Sequence, residues 1–316
     1  MITRELRWSW QGHDMVLGLD EAGSGPLLLL LPALSSISTR SEMHPLMQRL
    51  AGQFRVLALD WPGFGTAPRP HLRWTPDALS GFLDHALGAL GARPHGVVAA
   101  GHAATYVLHH AARHAGFTDR IALIAPTWRG PLPTMAGGDR PLFAGIRRLI
   151  ELPGLGPVLY RLNVSSFVIR RMVAGHVYSD PAWLGGTRLA DKRKVTGSKG
   201  ARFASVAFVT GALDRVAGRA EFLDAARGAG APVLLVLGGE TPRRSLAEME
   251  ALAGLPGVTT VRLARGKLSV HEEFADEVAA ALRPFLAVRI SETAWLTPSC
   301  TARGACAGAR RPQSRR

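Results

Sequence analysis

The sequence predicts an α/β protein with a mostly parallel sheet of about eight strands and helices on both faces. Short apolar runs such as residues 27–31, all leucine, suit strands that are buried on both faces. Amphipathic helix patterns lie between these runs. In residues 75–90, for example, Thr75 suits the N-cap and Pro76 the first helical position. Because strands and helices alternate at the spacing of βαβ units, we expect neighbouring strands to run parallel.

The predicted elements begin with an N-terminal hairpin and then follow in regular order. The predicted strands are residues 6–10, 15–19, 27–31, 54–59, 97–100, 120–125, 204–209, 233–237 and 259–263. The predicted helices of the core are residues 41–50, 75–90, 103–114 and 272–286, with Ser41 as the cap of the first.

The alternation of strands and helices stops after Pro126. Loops and amphipathic helices, punctuated by prolines, fill residues 127–203. We therefore interpret residues 1–126 and 204–286 as the core, and residues 127–203 as a helical insertion that covers one end of the sheet. Residues 287–316 consist mainly of Arg, Ala, Gly, Ser and Pro, which predicts a disordered basic tail.

Composition limits the classes of partner. The chain has 316 residues, of which 47% are hydrophobic, and a formal net charge of +14. The positive charge is spread over many segments, so we expect no specific nucleic-acid partner. The densest basic cluster, residues 188–199, is interpreted as a solvated face. No apolar run is long enough to span a membrane and no secretory signal is visible, which predicts a cytoplasmic protein without a transmembrane segment.

The chain offers little for metal or cofactor binding. Its two cysteines, Cys300 and Cys306, lie in the predicted tail, which excludes a core held by disulfides. His110 and His114 have the i, i+4 spacing of metal ligands, but no carboxylate joins them at the spacing of a zinc motif. We therefore predict no metal site and no cofactor. The oligomeric state is left open.

Several segments, taken in order, resemble the α/β-hydrolase superfamily. They are residues 25–33, 54–65, 97–103, 120–126, 233–239 and 271–273. The resemblance implies an α/β-hydrolase fold over about residues 5–286, with residues 127–203 in the place of the family's lid. The phrases at residues 32–35, 60–65, 101–104 and 125–128 also resemble a little-characterised branch found in photosynthetic organisms.

The resemblance implies a degenerate catalytic triad. The superfamily's nucleophile lies in Gly-x-Ser-x-Gly on a strained strand-to-helix turn. Here the turn reads Ala-Ala-Gly-His-Ala-Ala-Thr at residues 99–105, which places either Gly101 or Ala103 at the nucleophile position. The general-base position falls at Leu268, and His271 follows nearby. Glu240 stands one residue early for the acid, while Asp214 lies at an earlier turn.

The candidate site residues come from the loops that follow these strands. We predict His102, Glu240 and His271 as catalytic residues of a rebuilt site. The predicted substrate-binding residues are Ala33, Leu34, Ser35, Gly101, Ala103 and Trp128. Backbone N–H groups of Leu34 and of the turn are expected to hold an oxyanion. Structural roles for His102 and Trp128 stay open as alternatives.

Two functions remain open. The first is a hydrolase, or a related acyltransferase or lyase, that acts on a small apolar ester-like substrate without a Ser-His-Asp triad. The alternative is a non-catalytic protein that binds a small apolar ligand or serves as a scaffold. Apolar faces in the insertion lie next to Arg147-Arg148 and Arg170-Arg171, so attachment to a membrane surface is a lesser possibility.

Overall fold

The centre of the molecule is an eight-stranded sheet with the order β1-β2-β4-β3-β5-β6-β7-β8. The computed structural model describes residues 1–65, 67 and 69–287. The strands are β1 (Ile2–Trp10), β2 (His13–Ala22), β3 (Leu27–Leu31), β4 (Arg55–Leu59), β5 (Gly96–Ala100), β6 (Arg120–Ile124), β7 (Val233–Gly238) and β8 (Val258–Leu263). From β4 to β8 the neighbouring strands are parallel, and β1 and β2 add an antiparallel edge. The predicted fold class is confirmed.

Helices connect the strands and cover both faces of the sheet. In the core they are α1 (His44–Leu50), α2 (Pro76–Ala89), α3 (Ala103–Arg113), α10 (Arg219–Arg227), α11 (Arg243–Ala253), α12 (Val270–Glu273) and α13 (Ala275–Leu286). Between β6 and β7 the helices that precede α10 are α4 (Pro131–Ala136), α5 (Pro141–Glu151), α6 (Leu155–Asn163), α7 (Ser166–His176), α8 (Gly186–Thr196) and α9 (Ala201–Val209). Short 3-10 helices lie at Arg40–Met43 and Pro181–Leu184.

The direction of the crossovers explains why helices cover both faces of the sheet and indicates where a ligand crevice is expected. The connection from β3 through α1 to β4 moves one way along the sheet, and the connection from β4 through α2 to β5 moves the other way. Because such crossovers are right-handed, α1 and α2 lie on opposite faces. The strand order reverses at β3, so the crevice for a ligand is expected at the carboxyl ends of β3 and β5.

Local sequence determines most of the core elements. All five residues of β3 and of β5 are buried, as expected for strands covered on both faces. The Thr75 side chain accepts a hydrogen bond from the Ala78 N–H, as predicted for the cap of α2. The cap predicted at Ser41 is wrong, because Thr39 caps the 3-10 helix and α1 begins only at His44.

The strand predicted at residues 204–209 is also wrong, because this segment belongs to helix α9. The segment is buried on nearly all sides, and an apolar run of this length does not distinguish a buried strand from a buried helix. The predicted closing helix at residues 272–286 is divided into α12 and α13 by Phe274.

Residues Met1–Leu286 form one compact unit. The division into core and lid at residues 127–203 stays a prediction. The predicted tail, residues 287–316, lies outside the described residues except for Ala287. Among the described helices, none has the length and apolar character needed to cross a membrane.

Candidate active site

The strand-to-helix turn after β5 is made by Gly101, which has a φ of +52°. Its N–H donates to the Ile124 carbonyl (2.9 Å), and its own carbonyl accepts from the Thr127 N–H (3.0 Å). A Cβ at this position would lie 3.1 Å from the Cβ of Ala33, so the turn lies directly against the loop that follows β3. Ala103 is the buried first residue of α3, beyond the turn. Of the two residues predicted for the nucleophile position, Gly101 and Ala103, the geometry therefore favours Gly101.

The loop after β3 is held by a buried carboxylate. Glu42, in the 3-10 helix that follows this loop, accepts a hydrogen bond from the Ala33 N–H through Oε1 (2.6 Å). The Ala33 N–H is therefore engaged. The N–H groups of Leu34 and His102, on the neighbouring loops after β3 and β5, are among those of the described chain that donate no hydrogen bond.

Glu42 also lies beside His271, which enters from the opposite edge of the crevice. The Oε1 atom of Glu42 is 3.4 Å from Nε2 of His271, and both side chains are buried. His271 belongs to α12, which follows β8. Neither ring nitrogen of His271 has a hydrogen-bond partner among the described protein groups. The two side chains are therefore close neighbours at the carboxyl ends of the strands, without a hydrogen bond between them.

Residues between β6 and β7 extend this pair into a buried charge network. The Nζ atom of Lys192, on α8, is 2.8 and 3.1 Å from the carboxylate oxygens of Glu272 and 4.0 Å from Oε2 of Glu42. The hydroxyl of Tyr178 donates to Glu272 (2.6 Å). The prediction that residues 188–199 form a solvated face is therefore wrong for Lys192, because two carboxylates from the core offset the cost of burying its charge.

The network shifts the pKa values of its members in opposite directions. Burial alone would lower the pKa of Lys192, but the carboxylates of Glu272 and Glu42 outweigh it and hold this pKa above its ordinary value. Burial alone would raise the pKa of Glu272, but the Lys192 ammonium outweighs it and holds this pKa below its ordinary value. Burial raises the pKa of Tyr178. At neutral pH the network therefore contains an ammonium, a carboxylate and a neutral phenol.

His102 lies on the other side of the turn, in a separate cluster. Its Nε2 is 3.2 Å from the Leu213 carbonyl and 3.5 Å from Oδ1 of Asp214. Burial lowers the pKa of His102 to about 4, although the Leu213 carbonyl favours the charged form. Burial raises the pKa of Asp214 to about 8, against the effect of the Gly130 N–H that donates to it (2.8 Å). At neutral pH His102 is therefore uncharged, and its contact with Asp214 is not an ion pair.

The three predicted catalytic residues are not brought into contact. His102 is next to Asp214, His271 is next to Glu42, and the side chain of Glu240 is exposed. The Glu240 N–H donates to the Gly266 carbonyl (3.0 Å), which fixes the backbone of this loop. Within the described residues, no hydrogen bond or ion pair joins these side chains. Their catalytic roles stay predictions.

The remaining predicted site residues have defined neighbours. Ser35 hydrogen-bonds to Ser38 through the two hydroxyls (2.8 Å). Trp128 is only 2% exposed, and its Nε1–H donates to Oε2 of Glu248 (3.0 Å) while the Arg129 guanidinium lies over its ring. These contacts suit a wall of the site and offer no acid-base chemistry.

A third cluster lies away from the turn, between α2 and α3. Oδ1 of Asp84 is 2.7 Å from Nδ1 of His110, and the ring of His114 stacks on that of His110. One ligand atom from each residue lies within 4.8 Å of the others. The sequence did not reveal this group because Asp84 is contributed by a different helix. The expectation of no metal site stays a prediction.

A cleft of about 750 Å³ opens next to the buried charge network. Lys192 and Glu272 form part of its wall, together with Trp183 and Phe274. The Arg188 guanidinium lies over the Trp183 ring at 3.7 Å from its centre. The cleft therefore reaches Lys192 and Glu272 of the charge network, whereas His271, Glu42 and Gly101 are not part of its wall.

Comparison with known families agrees with this architecture. The model of the alpha/beta hydrolase family matches residues 28–281, which include the strands from β3 to β8 and the loops described above. The chain belongs to the alpha/beta hydrolase family. No curated protein sequence matches it closely enough to count as a relative.

Solved structures of hydrolytic enzymes share the fold. An esterase from Thermogutta terrifontis is 17% identical, with a TM-score of 0.68 over 90% of this chain and 98% of the esterase. The haloalkane dehalogenase DatA from Agrobacterium tumefaciens C58 is 19% identical, with a TM-score of 0.67 over 90% and 96% of the two chains. The enol-lactonase from Burkholderia xenovorans LB400 is 20% identical, with a TM-score of 0.67 over 89% and 99%. At these identities the likeness establishes the fold alone.

Proposed function

We propose that the protein is a hydrolase of a small, apolar, ester-like substrate that activates water directly and forms no covalent enzyme intermediate. One observation carries the proposal. The Glu42 carboxylate lies 3.4 Å from Nε2 of His271 and 2.6 Å from the Ala33 nitrogen. An acid-base pair is thereby attached to the loop that faces the Gly101 turn, where the family's fold places its reaction centre.

His271 is the proposed general base. The neighbouring Glu42 carboxylate favours the tautomer with the proton on Nε2, which leaves the lone pair of Nδ1 to accept a proton from water. The resulting imidazolium is stabilised by the carboxylate. Glu42 is thus a positioning residue, and His271 is the residue that handles the proton.

The proposed reaction proceeds in two steps. Nδ1 of His271 takes a proton from water while the water oxygen bonds to the carbonyl carbon, and the negative charge moves to the carbonyl oxygen. The N–H groups of Leu34 and His102 stabilise that oxyanion. The intermediate then collapses, the bond to the leaving alkoxide breaks, and the proton passes from His271 to the alkoxide.

Gly101 supports this reading because the turn offers no side-chain nucleophile. The substrate class follows from the surroundings, since Leu34, Ala103 and Trp128 are buried apolar or aromatic residues near the turn. The cleft bordered by Lys192 and Glu272 is the proposed route of entry. Acyl transfer or lyase chemistry at the same groups, and a cytoplasmic location, stay predictions.

A non-catalytic binding protein is the second candidate. The observation that favours it is the tight packing around the turn. Gly101, Leu34 and Ala103 are all buried, and a Cβ at Gly101 would lie 3.1 Å from the Cβ of Ala33. In that case, the fold would keep an apolar pocket without turnover.

Hydrolysis of p-nitrophenyl acetate and butyrate by the full chain distinguishes the hydrolase from the non-catalytic binding protein. We expect turnover above that of free imidazole at the same concentration, without an initial burst of p-nitrophenol. In a single turnover in H₂¹⁸O, the label should enter the acid product in the first cycle. A burst, or unlabelled acid from the first turnover, would contradict direct water attack. No hydrolysis, together with a ligand-induced rise in Tm, would favour the binding protein.

A further inference from the structure

The helices between β6 and β7 carry most of the exposed large apolar side chains of the described chain. Twelve such residues are exposed, and nine of them lie between Met135 and Met172. We call this surface the lid face; its exposed apolar members are Met135, Leu142, Leu149, Leu152, Leu155, Val158, Leu162, Phe167 and Met172. Phe167 is 75% exposed and Leu142 is 67% exposed. A concentration of this kind on one segment marks an interaction surface, because exposed apolar residues are otherwise scattered.

On α6, the helical spacing places the exposed apolar side chains on one face. Leu155, Val158 and Leu162 follow the i, i+3, i+7 pattern of one helix face, whereas Gly156 and Tyr160 are buried on the other. A Cβ at Gly156 would lie 2.2 Å from the Ile150 carbonyl, so α6 packs tightly against the end of α5 through its buried side.

The same division holds on α7. Ile169 and Val173 are buried in a small apolar cluster with Ile37, from the loop after β3. Phe167 and Met172, in contrast, are exposed. The inward faces of α6 and α7 are therefore already packed, and the outward apolar residues have no partner among the described residues that would explain them.

The positive charge of the lid face indicates an anionic partner. Residues 135–176 contain six arginines and two acidic residues, Asp139 and Glu151. Arg148, Arg161, Arg170 and Arg171 are exposed. Arginines interleaved with leucine and phenylalanine fit an anionic lipid surface, where apolar side chains enter the acyl boundary and guanidinium groups reach the phosphates.

We propose that the lid face docks the protein onto the surface of a bilayer that contains anionic lipids. The helices lie on the membrane and do not cross it. The proposal rests on the exposed surface of α5–α7 and not on the chemistry of His271, so either can fail without the other.

Co-sedimentation of the full chain with lipid vesicles tests the proposal. We expect binding to phosphatidylcholine vesicles that contain about 30 mol% phosphatidylglycerol, and binding weaker by about tenfold or more to phosphatidylcholine alone. The variant Leu162→Ser/Phe167→Ser should bind the anionic vesicles at least about tenfold more weakly. The matched control is Ile2→Ser/Val16→Ser, two exposed apolar residues of the N-terminal hairpin, which should bind like the wild type.

Charge is tested in the same way. Arg170→Gln/Arg171→Gln should lower the affinity by about tenfold, whereas Arg7→Gln/Arg73→Gln, exposed elsewhere, should have little effect. All of these side chains are exposed, so unchanged circular dichroism is expected and is measured for each variant.

Three results would overturn the proposal. One is the absence of vesicle binding. Another is equal loss in the lid and control variants, which would assign binding to general charge, including the basic residues of 287–316. The third is self-association in sedimentation velocity that Leu162→Ser/Phe167→Ser abolishes while vesicles stay unbound, which would make a second copy of the chain the partner.

Discussion

The Glu42 carboxylate and the His271 imidazole lie 3.4 Å apart (Oε1 to Nε2), although one follows β3 and the other follows β8. The same Oε1 atom accepts the Ala33 N–H at 2.6 Å. One carboxylate therefore connects the loop against the Gly101 turn with the histidine from the far edge of the crevice. The proposed chemistry depends on this connection.

Glu42→Gln tests the connection. The amide oxygen still accepts the Ala33 N–H, but the negative charge that would stabilise the His271 imidazolium is lost. We expect kcat for p-nitrophenyl butyrate to fall by about 10- to 100-fold with KM little changed. The exposed Glu5→Gln serves as the control. An unchanged kcat in Glu42→Gln would remove Glu42 from the mechanism.

Gly101→Ser should not convert the protein into a serine hydrolase. A serine would adopt the φ of +52° and crowd Ala33, so we expect the free energy of unfolding to fall by about 1–2 kcal/mol. No labelling by a fluorophosphonate probe is expected, since among the described residues no contact joins the His271 ring to the Gly101 turn. Gly88→Ser, at an exposed helical position with open space around it, is the matched control and should be near neutral. Labelling of Gly101→Ser would contradict this prediction, because it would show that a serine at residue 101 is activated by the surrounding groups.

Lys192→Met should be strongly destabilising. It leaves the Glu272 and Glu42 carboxylates buried without their cation, at a cost of about 3–5 kcal/mol in the free energy of unfolding. Lys194→Met, two residues along the same helix but exposed, should cost little. Urea denaturation measures both.

The double variant Lys192→Met/Glu272→Gln should recover part of the loss, because one of the uncompensated charges is then removed. If the losses in the free energy of unfolding of Lys192→Met and Glu272→Gln simply add in the double variant, the two side chains are not coupled in the folded protein.

The stability should depend on pH through Asp214. Its pKa is raised to about 8 in the folded state, so the folded chain holds this proton more tightly than the unfolded chain between pH 4 and 8. The stabilisation is complete below the unfolded pKa and is lost as the pH rises through about 8.

Asp214→Asn, which keeps the acceptor for the Gly130 N–H, removes this dependence. Relative to the wild type, the variant should gain about 1 kcal/mol per pH unit between pH 5 and 8. Urea denaturation at three pH values measures the gain, with the exposed Asp224→Asn as the control. A constant difference across this range would contradict a raised pKa.

The fold was predictable because its signals are local. The leucine run of β3 and the Thr75 cap of α2 are visible in a few neighbouring residues, and both are confirmed. Residues 204–209 show the limit of this approach. An apolar run of six residues suits a buried strand or a buried helix, and only packing against the rest of the chain decides between them.

The site was less predictable because its contacts are distant in sequence. His271 was predicted from its place after β8, but its neighbour Glu42 falls in the first turn of the helix predicted at residues 41–50, where no sequence signal connects it with β8. Lys192 lies in a basic cluster that resembles a solvated face, and only the folded chain brings it to Glu272. Glu240 stands one residue early for the family's acid, and its side chain is exposed.

The most direct measurement compares turnover of p-nitrophenyl butyrate by His271→Gln and by His102→Gln. Both replace a buried histidine, so the second variant controls for loss of stability. We expect His271→Gln to lower kcat by about 100-fold or more, since general-base catalysis contributes that much, and His102→Gln to keep most of the activity. Equal losses, or activity indifferent to His271, would contradict the proposed mechanism.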